Sequence, residues 1–262
     1  MTVVVAVRCP DGVVLATDSQ GTSQLPGNIP VKLPAKKIER LGKHVAYGGT
    51  GGQGAGQRVH AALEAQASKM SATKSAAEIA NVIRQTVNPL QKQIRQEWVE
   101  LPNTQPESWG AIFCGWSKDG PWIFEIDPGG PSQFHDPFAA TGSGHPLAHT
   151  ALISVAHFKV GQQSLEGAKA IAYRAIENTC SSAAYGVGMP VQMAIMTKDG
   201  IEEINHGDAK HTELSDLIDL WKAQEVETLG ALAPDTGQEV EEVPVEEPEP
   251  SIDEAEIGGS TS

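Results

Sequence analysis

Three short segments of the chain each place two apolar runs around an Asp-Gly pair, the strongest short-range signal for a tight β-hairpin. The pairs are Asp11-Gly12, Asp119-Gly120 and Asp199-Gly200. The predicted hairpins join residues 3–7 to 13–17, 111–116 to 122–127, and 191–197 to 201–204, and residues 45–47 are predicted as one more short strand. Because two-residue turns join antiparallel strands, the sheets of this protein should be antiparallel.

Helical segments arrive in pairs between these hairpins. Ser75 and Glu78 form a capping-box pattern, and apolar residues at 79, 83, 87, 90 and 94 follow at helical spacing, with a kink expected at Pro89. Further helices are predicted through Val59 and Leu63, at about 145–159, at about 164–183, and around 214–221. Helix pairs between antiparallel segments predict an α/β (α+β) protein, a four-layer α/β/β/α sandwich of two stacked sheets.

Charge is concentrated at one end of the chain. The net charge is −14, and residues 231–262 carry ten acidic residues and no basic one. We predict a folded domain over residues 1–228 and a disordered acidic tail over 229–262. Without a basic run or a basic–aromatic stripe, nucleic acid is not expected as a partner.

The cysteines and the hydropathy pattern bear on the compartment. Cys9, Cys114 and Cys180 make an odd number at wide spacing, which suits a reducing environment. The chain has no apolar stretch of 18 residues, and its start lacks the layout of a signal peptide. We therefore expect a cytoplasmic protein that does not enter a membrane.

Thr2 stands directly behind Met1 and opens the first hairpin. Removal of Met1 would place a hydroxyl and a free α-amine on one residue. An α-amine has an ordinary pKa near ~7.7–8.0 and is therefore suited to act as a general base at neutral pH. Such a residue carries its own nucleophile and base. The alternative from position alone is that Thr2 is simply the first residue of an edge strand.

Four further stretches form a pattern with Thr2. They are Ala-Thr-Asp18-Ser-Gln-Gly-Thr, Pro-Ala-Lys-Lys37-Ile, Ala-Tyr-Gly48-Gly-Thr-Gly-Gly and Ala-Thr-Gly-Ser143-Gly. In this order, from Thr2 to about residue 205, the chain resembles the proteasome β-subunit family of N-terminal-nucleophile hydrolases, including the proteasome-like peptidase of bacteria. Each motif is weak alone, and together they are specific.

The resemblance implies a role for each matching residue. Thr2 would be the nucleophile and Lys37 a buried cation that favours loss of protons from its hydroxyl and amine. Asp18 would pair with Lys37 and keep it charged. Ser143 would hydrogen-bond the amine of Thr2, and the N–H of Gly48 would stabilise the oxyanion. Three alternatives remain open: a surface ion pair of Asp18 and Lys37, Lys36 in place of Lys37, and Ser143 as a helix cap.

The substrate would lie across the same site. The resemblance places the first substrate pocket at Gly21, Ala35, Glu39, Ala46 and Thr50. Small residues there indicate a roomy pocket, and Glu39 would favour a basic side chain unless it faces solvent. Thr22 matches a position whose backbone pairs with an extended peptide.

One stretch departs from the family pattern. Many relatives supply an Asp and a Ser after the helix at about 164–180, whereas this chain has Ala183 and Gly186 near those positions. Ser181 or Ser182 is the available substitute. This departure puts in doubt the rate and the group that supports Thr2 from that side.

The resemblance implies a threonine-type endopeptidase in a homo-oligomeric ring. Its substrates would be peptides and unfolded proteins, its partner an ATP-dependent unfoldase, and neither metal nor organic cofactor would be needed. The alternatives are an inactive scaffold subunit of the same fold and an N-terminal-nucleophile amidase or peptide ligase. Two other patterns are weaker: a Gly49-x-Gly51-x-x-Gly54 run without a parallel βαβ frame, and His145 with His149 at a zinc-compatible spacing.

Overall fold

The computed structural model of the protein describes residues 2–25, 29–99, 108–182 and 186–232. The strands in these ranges are β1 (Val3–Cys9), β2 (Gly12–Thr17), β3 (Gln20–Leu25), β4 (Ile29–Pro34), β5 (Ile38–Leu41), β6 (Val45–Gly51), β7 (Trp109–Ser117), β8 (Gly120–Ile126), β9 (Ser132–His135), β10 (Phe138–Gly142), β11 (Gln192–Thr197) and β12 (Gly200–Ile204). The α-helices are α1 (Gln53–Glu64), α2 (Ala76–Val99), α3 (His145–Ser154), α4 (Leu165–Ser181) and α5 (Ala209–Leu232).

The strands form two five-stranded antiparallel sheets and one ribbon. The first sheet has the order β10-β1-β2-β11-β12, the second has the order β5-β6-β7-β8-β9, and β3 pairs with β4 in the ribbon. All three predicted hairpins are confirmed, as β1–β2, β7–β8 and β11–β12. Each turns at its Asp-Gly pair.

Apolar side chains on both faces of each sheet produce four layers. Along β1, Val3, Val5 and Val7 pack with α3 and α4, while Val4 and Ala6 face the second sheet. This is the period of two that a strand imposes on its side chains. The layer between the sheets includes Leu15, Ile112, Ile123, Ala194 and Met196, and α1 and α2 cover the outer face of the second sheet. The predicted four-layer α/β/β/α sandwich is confirmed.

Helix boundaries follow local sequence signals. The predicted capping box is present, since Ser75 N–H donates to Glu78 Oε2 at 2.8 Å and Glu78 N–H donates to Ser75 Oγ at 3.2 Å. Helix α2 continues through Pro89. Helix α3 ends at Ser154, earlier than predicted, and two short 3₁₀ turns follow it.

The end of the described chain is helical. Helix α5 extends to Leu232, four residues beyond the predicted domain boundary, and its residues from Ala223 belong to a second compact unit. Within that unit Thr228 Oγ1 donates to Gln224 O at 2.8 Å. The rest of the predicted acidic tail, residues 233–262, lies outside the described residues. None of the described helices has the length and apolar character that crossing a membrane requires.

Candidate active site

A tight turn between β10 and α3 holds the main chain of Thr2. The Thr2 nitrogen donates to Ser143 Oγ at 3.1 Å, and the same hydroxyl donates to Thr2 O at 3.3 Å. Gly144 N–H also donates to Thr2 O, at 3.2 Å. The residue before Thr2 lies outside the described residues. The hydrogen bond expected between Ser143 and the Thr2 nitrogen is therefore present.

The glycines of this turn let the two segments approach closely. Gly142 has φ +93°, and a Cβ there would lie 2.3 Å from Thr2 O. A side chain at that position would clash and would also strain the backbone. The alternative of Ser143 as a helix cap is wrong, because α3 is capped by Gly144 without a side-chain hydrogen bond.

Asp18 and Lys37 form a buried ion pair that contacts the residue after Thr2. Lys37 Nζ donates to Asp18 Oδ1 at 2.7 Å, and the side chains are 8% and 0% exposed, respectively. The same carboxylate oxygen accepts the N–H of Val3, the neighbour of Thr2, at 3.0 Å. The alternative of a surface ion pair is therefore wrong.

Lys36 does not exchange roles with Lys37. Its side chain is 60% exposed, and Lys36 Nζ lies 3.7 Å from Glu39 Oε2. Burial lowers the pKa of Lys37, and the Asp18 carboxylate opposes that shift through its charge and its hydrogen bond.

Main-chain donors complete the coordination of Asp18. Its Oδ2 accepts the N–H of Gln20 at 3.2 Å and the N–H of Gly188 at 3.2 Å. Four donors in all satisfy the two oxygens of this fully buried carboxylate.

The described part of the segment expected to supply an Asp and a Ser contacts Asp18 through its backbone. Ala183 lies outside the described residues, and Gly186 has φ +83° in the left-handed region. Ser182 Oγ donates to Asn178 O of its own helix at 2.7 Å. The contact of this segment with the cluster behind Thr2 is the N–H of Gly188 on Asp18.

Gly49, rather than Gly48, presents its main chain to the cavity in front of Thr2. His44 and Trp116 are a hydrogen-bonded pair of neighbouring strands, since Trp116 N–H donates to His44 O at 3.0 Å. The same register pairs Gly48 of β6 with Ile112 of β7. Hydrogen-bonded pairs alternate along an antiparallel ladder, so the main-chain groups of Gly48 point to β7. The main-chain groups of Gly49 point away from β7, toward Lys37, the residue just before β5. The main chain of Gly49, and not that of the predicted donor Gly48, therefore faces this cavity.

A cavity of about 720 Å³ lies in front of Thr2. It is lined by Gly21, Thr22, Ala35, Lys37, Glu39, Gly49, Thr50 and Trp109, among others. Four of the predicted substrate-contact residues, Gly21, Ala35, Glu39 and Thr50, thus share this wall with Thr22. Ala46 does not: it is fully buried between the sheets, and we withdraw the predicted substrate contact.

A second cavity of about 730 Å³ meets the first at Thr2, Thr50 and Gly51. Ser143, Glu125, His135, His145 and His149 are among the residues that line it. Glu125 Oε2 lies 2.7 Å from His135 Nε2. The candidate nucleophile therefore stands at the junction of two cavities.

Two other groups near the site are poor candidates for chemistry. Burial, aided by the nearby Asp18 carboxylate, raises the pKa of the Cys180 thiol to about 12, which disfavours the nucleophilic thiolate. His145 and His149 have ring centroids 5.7 Å apart. Over the described ranges, no group of three or more His, Cys, Asp or Glu side chains is arranged to hold a metal ion.

The four-layer fold and the residues around Thr2 together define a class of protein, and a comparison of the sequence with known families identifies that class. A family model described as proteasome subunit matches residues 2–196, so the chain belongs to the proteasome subunit family. Members of its beta branch are in general peptidases.

Individual relatives agree with this assignment. The chain is 28% identical over 202 residues to a proteasome subunit beta of Methanocella paludicola, covering 77% of this chain and 90% of that protein. It is 29% identical over 206 residues to a proteasome subunit beta 2 of Thermococcus gammatolerans, covering 77% and 93%. Among solved structures, an Anbu (Gly-1) mutant from Hyphomicrobium sp. strain MC1 shares the fold, with a TM-score of 0.65, 20% identity and coverage of 88% and 97%.

Proposed function

We propose that the protein is a threonine-type endopeptidase whose nucleophile is the hydroxyl of Thr2 after removal of Met1. The observation that carries this proposal is the environment of Thr2. Ser143 binds its nitrogen, and the buried Asp18–Lys37 pair binds the N–H of the next residue. Family membership supplies the independent support.

The first half of the reaction uses groups already in place. The freed amine of Thr2 takes the proton of its own hydroxyl, helped by the charge of Lys37, and the oxygen attacks the peptide carbonyl. The N–H of Gly49 stabilises the oxyanion that forms. As the C–N bond breaks, the Thr2 ammonium returns its proton to the leaving amine, and an ester to Thr2 remains.

The second half of the reaction restores the enzyme. The Thr2 amine, held by Ser143, takes a proton from a water molecule that attacks the ester. The C–O bond to Thr2 breaks, the acid product leaves, and the hydroxyl regains its proton. No step of this mechanism calls on a metal ion or an organic cofactor.

The first cavity suits an extended peptide on the acyl side of the bond. Among the described strands, only β4 pairs with β3, so the other edge of β3 is available to a peptide strand. Thr22 lies on β3, and its buried Oγ1 has no hydrogen-bond partner among the described residues. In the proposed complex the main chain of Thr22 pairs with the peptide.

The second cavity suits the leaving segment. Ser143, which binds the nitrogen that returns the proton, lines this cavity and not the first. The leaving amine must depart on that side of Thr2. The acyl and leaving portions of a substrate would then occupy the two cavities that meet at the nucleophile.

We further propose that the subunit works in a homo-oligomeric ring in the cytoplasm, acts on peptides and unfolded chains, and receives them from an ATP-dependent unfoldase. This part rests on membership of the proteasome subunit family. Electron microscopy of the purified protein tests it: closed rings of one chain are expected, and a monodisperse monomer would contradict it.

Replacement of Thr2 tests the catalytic proposal. In T2A the hydroxyl is absent, and hydrolysis of a fluorogenic peptide should fall to the background rate. T2S keeps the hydroxyl and the amine and should retain measurable activity. Full activity in T2A would end the proposal, and inactivity of the wild type with every peptide tested would favour the scaffold alternative.

A further inference from the structure

We infer that Gln192 is a positioning residue for the reaction: its side chain fixes the main chain at Lys37 and thereby sets the Asp18–Lys37 pair. This inference rests on the proposed function. Gln192 Oε1 accepts the N–H of Lys37 at 3.1 Å, and Gln192 Nε2 donates to Ala35 O at 2.8 Å. The Gln192 amide therefore hydrogen-bonds the main chain of Ala35 and of Lys37, the two neighbours of Lys36.

The two members of the ion pair come from different sheets. Asp18 follows β2 of the first sheet, and Lys37 precedes β5 of the second sheet. Gln192 begins β11 and pairs in register with Thr17, the residue before Asp18. Its backbone is thus aligned with the strand that carries Asp18, while its side chain holds the segment that carries Lys37.

The segment around Lys37 depends on this contact because no strand pairing orders it. Residues 35–37 lie between β4 and β5 and belong to neither strand. Ala35 N–H donates to Ser19 O at 2.8 Å, and the amide of Gln192 supplies the next two main-chain bonds. Without them the Lys37 main chain has more freedom, and the ammonium no longer stays at one distance from Asp18 and Thr2.

A displaced ammonium affects the chemical step more than substrate binding. Catalytic groups act only within a narrow range of geometry, so a small displacement lowers the rate of bond formation. Gln192 is absent from the residues that line either cavity at Thr2. A loss of its contacts should therefore appear in kcat and leave KM nearly unchanged.

The test is the variant Q192M, because methionine has a similar length and volume but can neither donate nor accept these bonds. We expect kcat for a fluorogenic peptide to fall about tenfold with KM within about twofold of the wild type. Q192N keeps the amide on a shorter stem that does not reach both partners. It should show a similar loss and serves as a second variant if Q192M folds poorly.

Ser117 provides a matched control. Its buried hydroxyl also makes one donated and one accepted main-chain bond, to Gly120 O at 3.0 Å and from Asp119 N–H at 3.1 Å. It lies at the far end of β7 from the candidate site. S117A should lower the melting temperature while kcat stays within about twofold.

A crystal structure of Q192M adds a readout that is independent of activity. The separation of Lys37 Nζ and Asp18 Oδ1, 2.7 Å in the wild type, should increase or become variable. An unchanged kcat in folded Q192M, or an equal loss of kcat in S117A, would overturn the inference. Inactivity of the wild type would refute the proposed function instead, and the Lys37–Asp18 separation in Q192M would still decide whether Gln192 positions the pair.

Discussion

Asp18 Oδ1 accepts both the ammonium of Lys37, at 2.7 Å, and the main-chain N–H of Val3, at 3.0 Å. One buried oxygen thus ties the cation to the residue that follows the candidate nucleophile. The ammonium that we propose to tune Thr2 and the strand that follows Thr2 therefore share a single anchor.

Lys37 and Lys36 should differ sharply in their effect on activity. Replacement of Lys37 by Met removes the cation behind Thr2 and should lower kcat by about three orders of magnitude or more. Replacement of Lys36 by Met removes a mostly exposed charge and should change kcat by less than about threefold. Steady-state peptide hydrolysis measures both. Equal losses in K36M and K37M would contradict the assignment of roles.

Asp18 should matter for stability as well as for rate. In D18N the amide nitrogen faces groups that donate hydrogen bonds, and the buried Lys37 loses its counter-charge. Breaking a buried pair in this way typically costs about 3–5 kcal/mol. Denaturant unfolding of wild type and D18N measures the change in the free energy of unfolding. A change below about 1 kcal/mol would show that the pair contributes little.

Ser143 should act mainly on the chemical step. Its hydroxyl binds the Thr2 nitrogen and carbonyl, so S143A leaves the amine less well oriented for proton transfer. We expect kcat to fall about 10- to 100-fold. Ser154, whose Oγ donates to Ala151 O at the exposed end of α3, supplies the control S154A, with kcat unchanged within about twofold. Wild-type kcat in S143A would remove Ser143 from the mechanism.

Gly142 and Gly54 should respond in opposite ways to alanine. A Cβ at Gly142 would lie 2.3 Å from Thr2 O, so G142A should displace Thr2 and lower both stability and kcat, the latter at least tenfold. Gly54 lies in α1, where an added Cβ would meet no neighbouring group within 4 Å, so G54A should stabilise the helix by about 0.5 kcal/mol. Thermal unfolding and kcat, measured together, check both. Normal kcat in G142A would show that the turn does not position Thr2.

His211 should give part of the stability a dependence on pH. Burial lowers the pKa of His211, and nearby His206 lowers it further. The unfolded chain, with the ordinary pKa near ~6.5, therefore takes up a proton at a higher pH than the folded chain. The stabilising contribution is present above that value and is lost as the pH falls below it. The melting temperature of H211N should drop less between pH 7.5 and pH 5.5 than that of the wild type, and an equal drop would contradict this.

Most of the fold could be predicted from local signals in the sequence. Each Asp-Gly pair fixed a hairpin because the turn and its apolar flanks are contiguous in the chain. The ribbon of β3 and β4 was not predicted, since β3 is mostly polar and the apolar residues of β4 alternate with Pro30, Lys32 and Pro34, and proline argues against a strand. Strands β9 and β10 were also missed, because they have only four and five residues and neither shows regular apolar–polar alternation.

The candidate site shows where sequence reasoning stops. Asp18, Lys37 and Ser143 stand in short motifs and could be named in advance. The choice of Gly48 or Gly49 as the proposed oxyanion donor depends on which of the two has its main-chain N–H turned away from β7. The register between β6 and β7 decides this, and the sequence does not reveal that register. Gln192 acts across 155 residues of chain, and an isolated Gln at the start of a strand carries no signal in the sequence.

The central claim is that the hydroxyl and the freed amine of Thr2 react together, and a threonine-directed epoxyketone tests it most directly because the probe bonds to both groups. The protein is incubated with the probe, and intact-mass and peptide mass spectrometry locate the product. We predict a chain without Met1 that carries one probe on Thr2, and no adduct on T2A. Retained Met1 and an unmodified Thr2 in a preparation that still hydrolyses peptides would contradict the account.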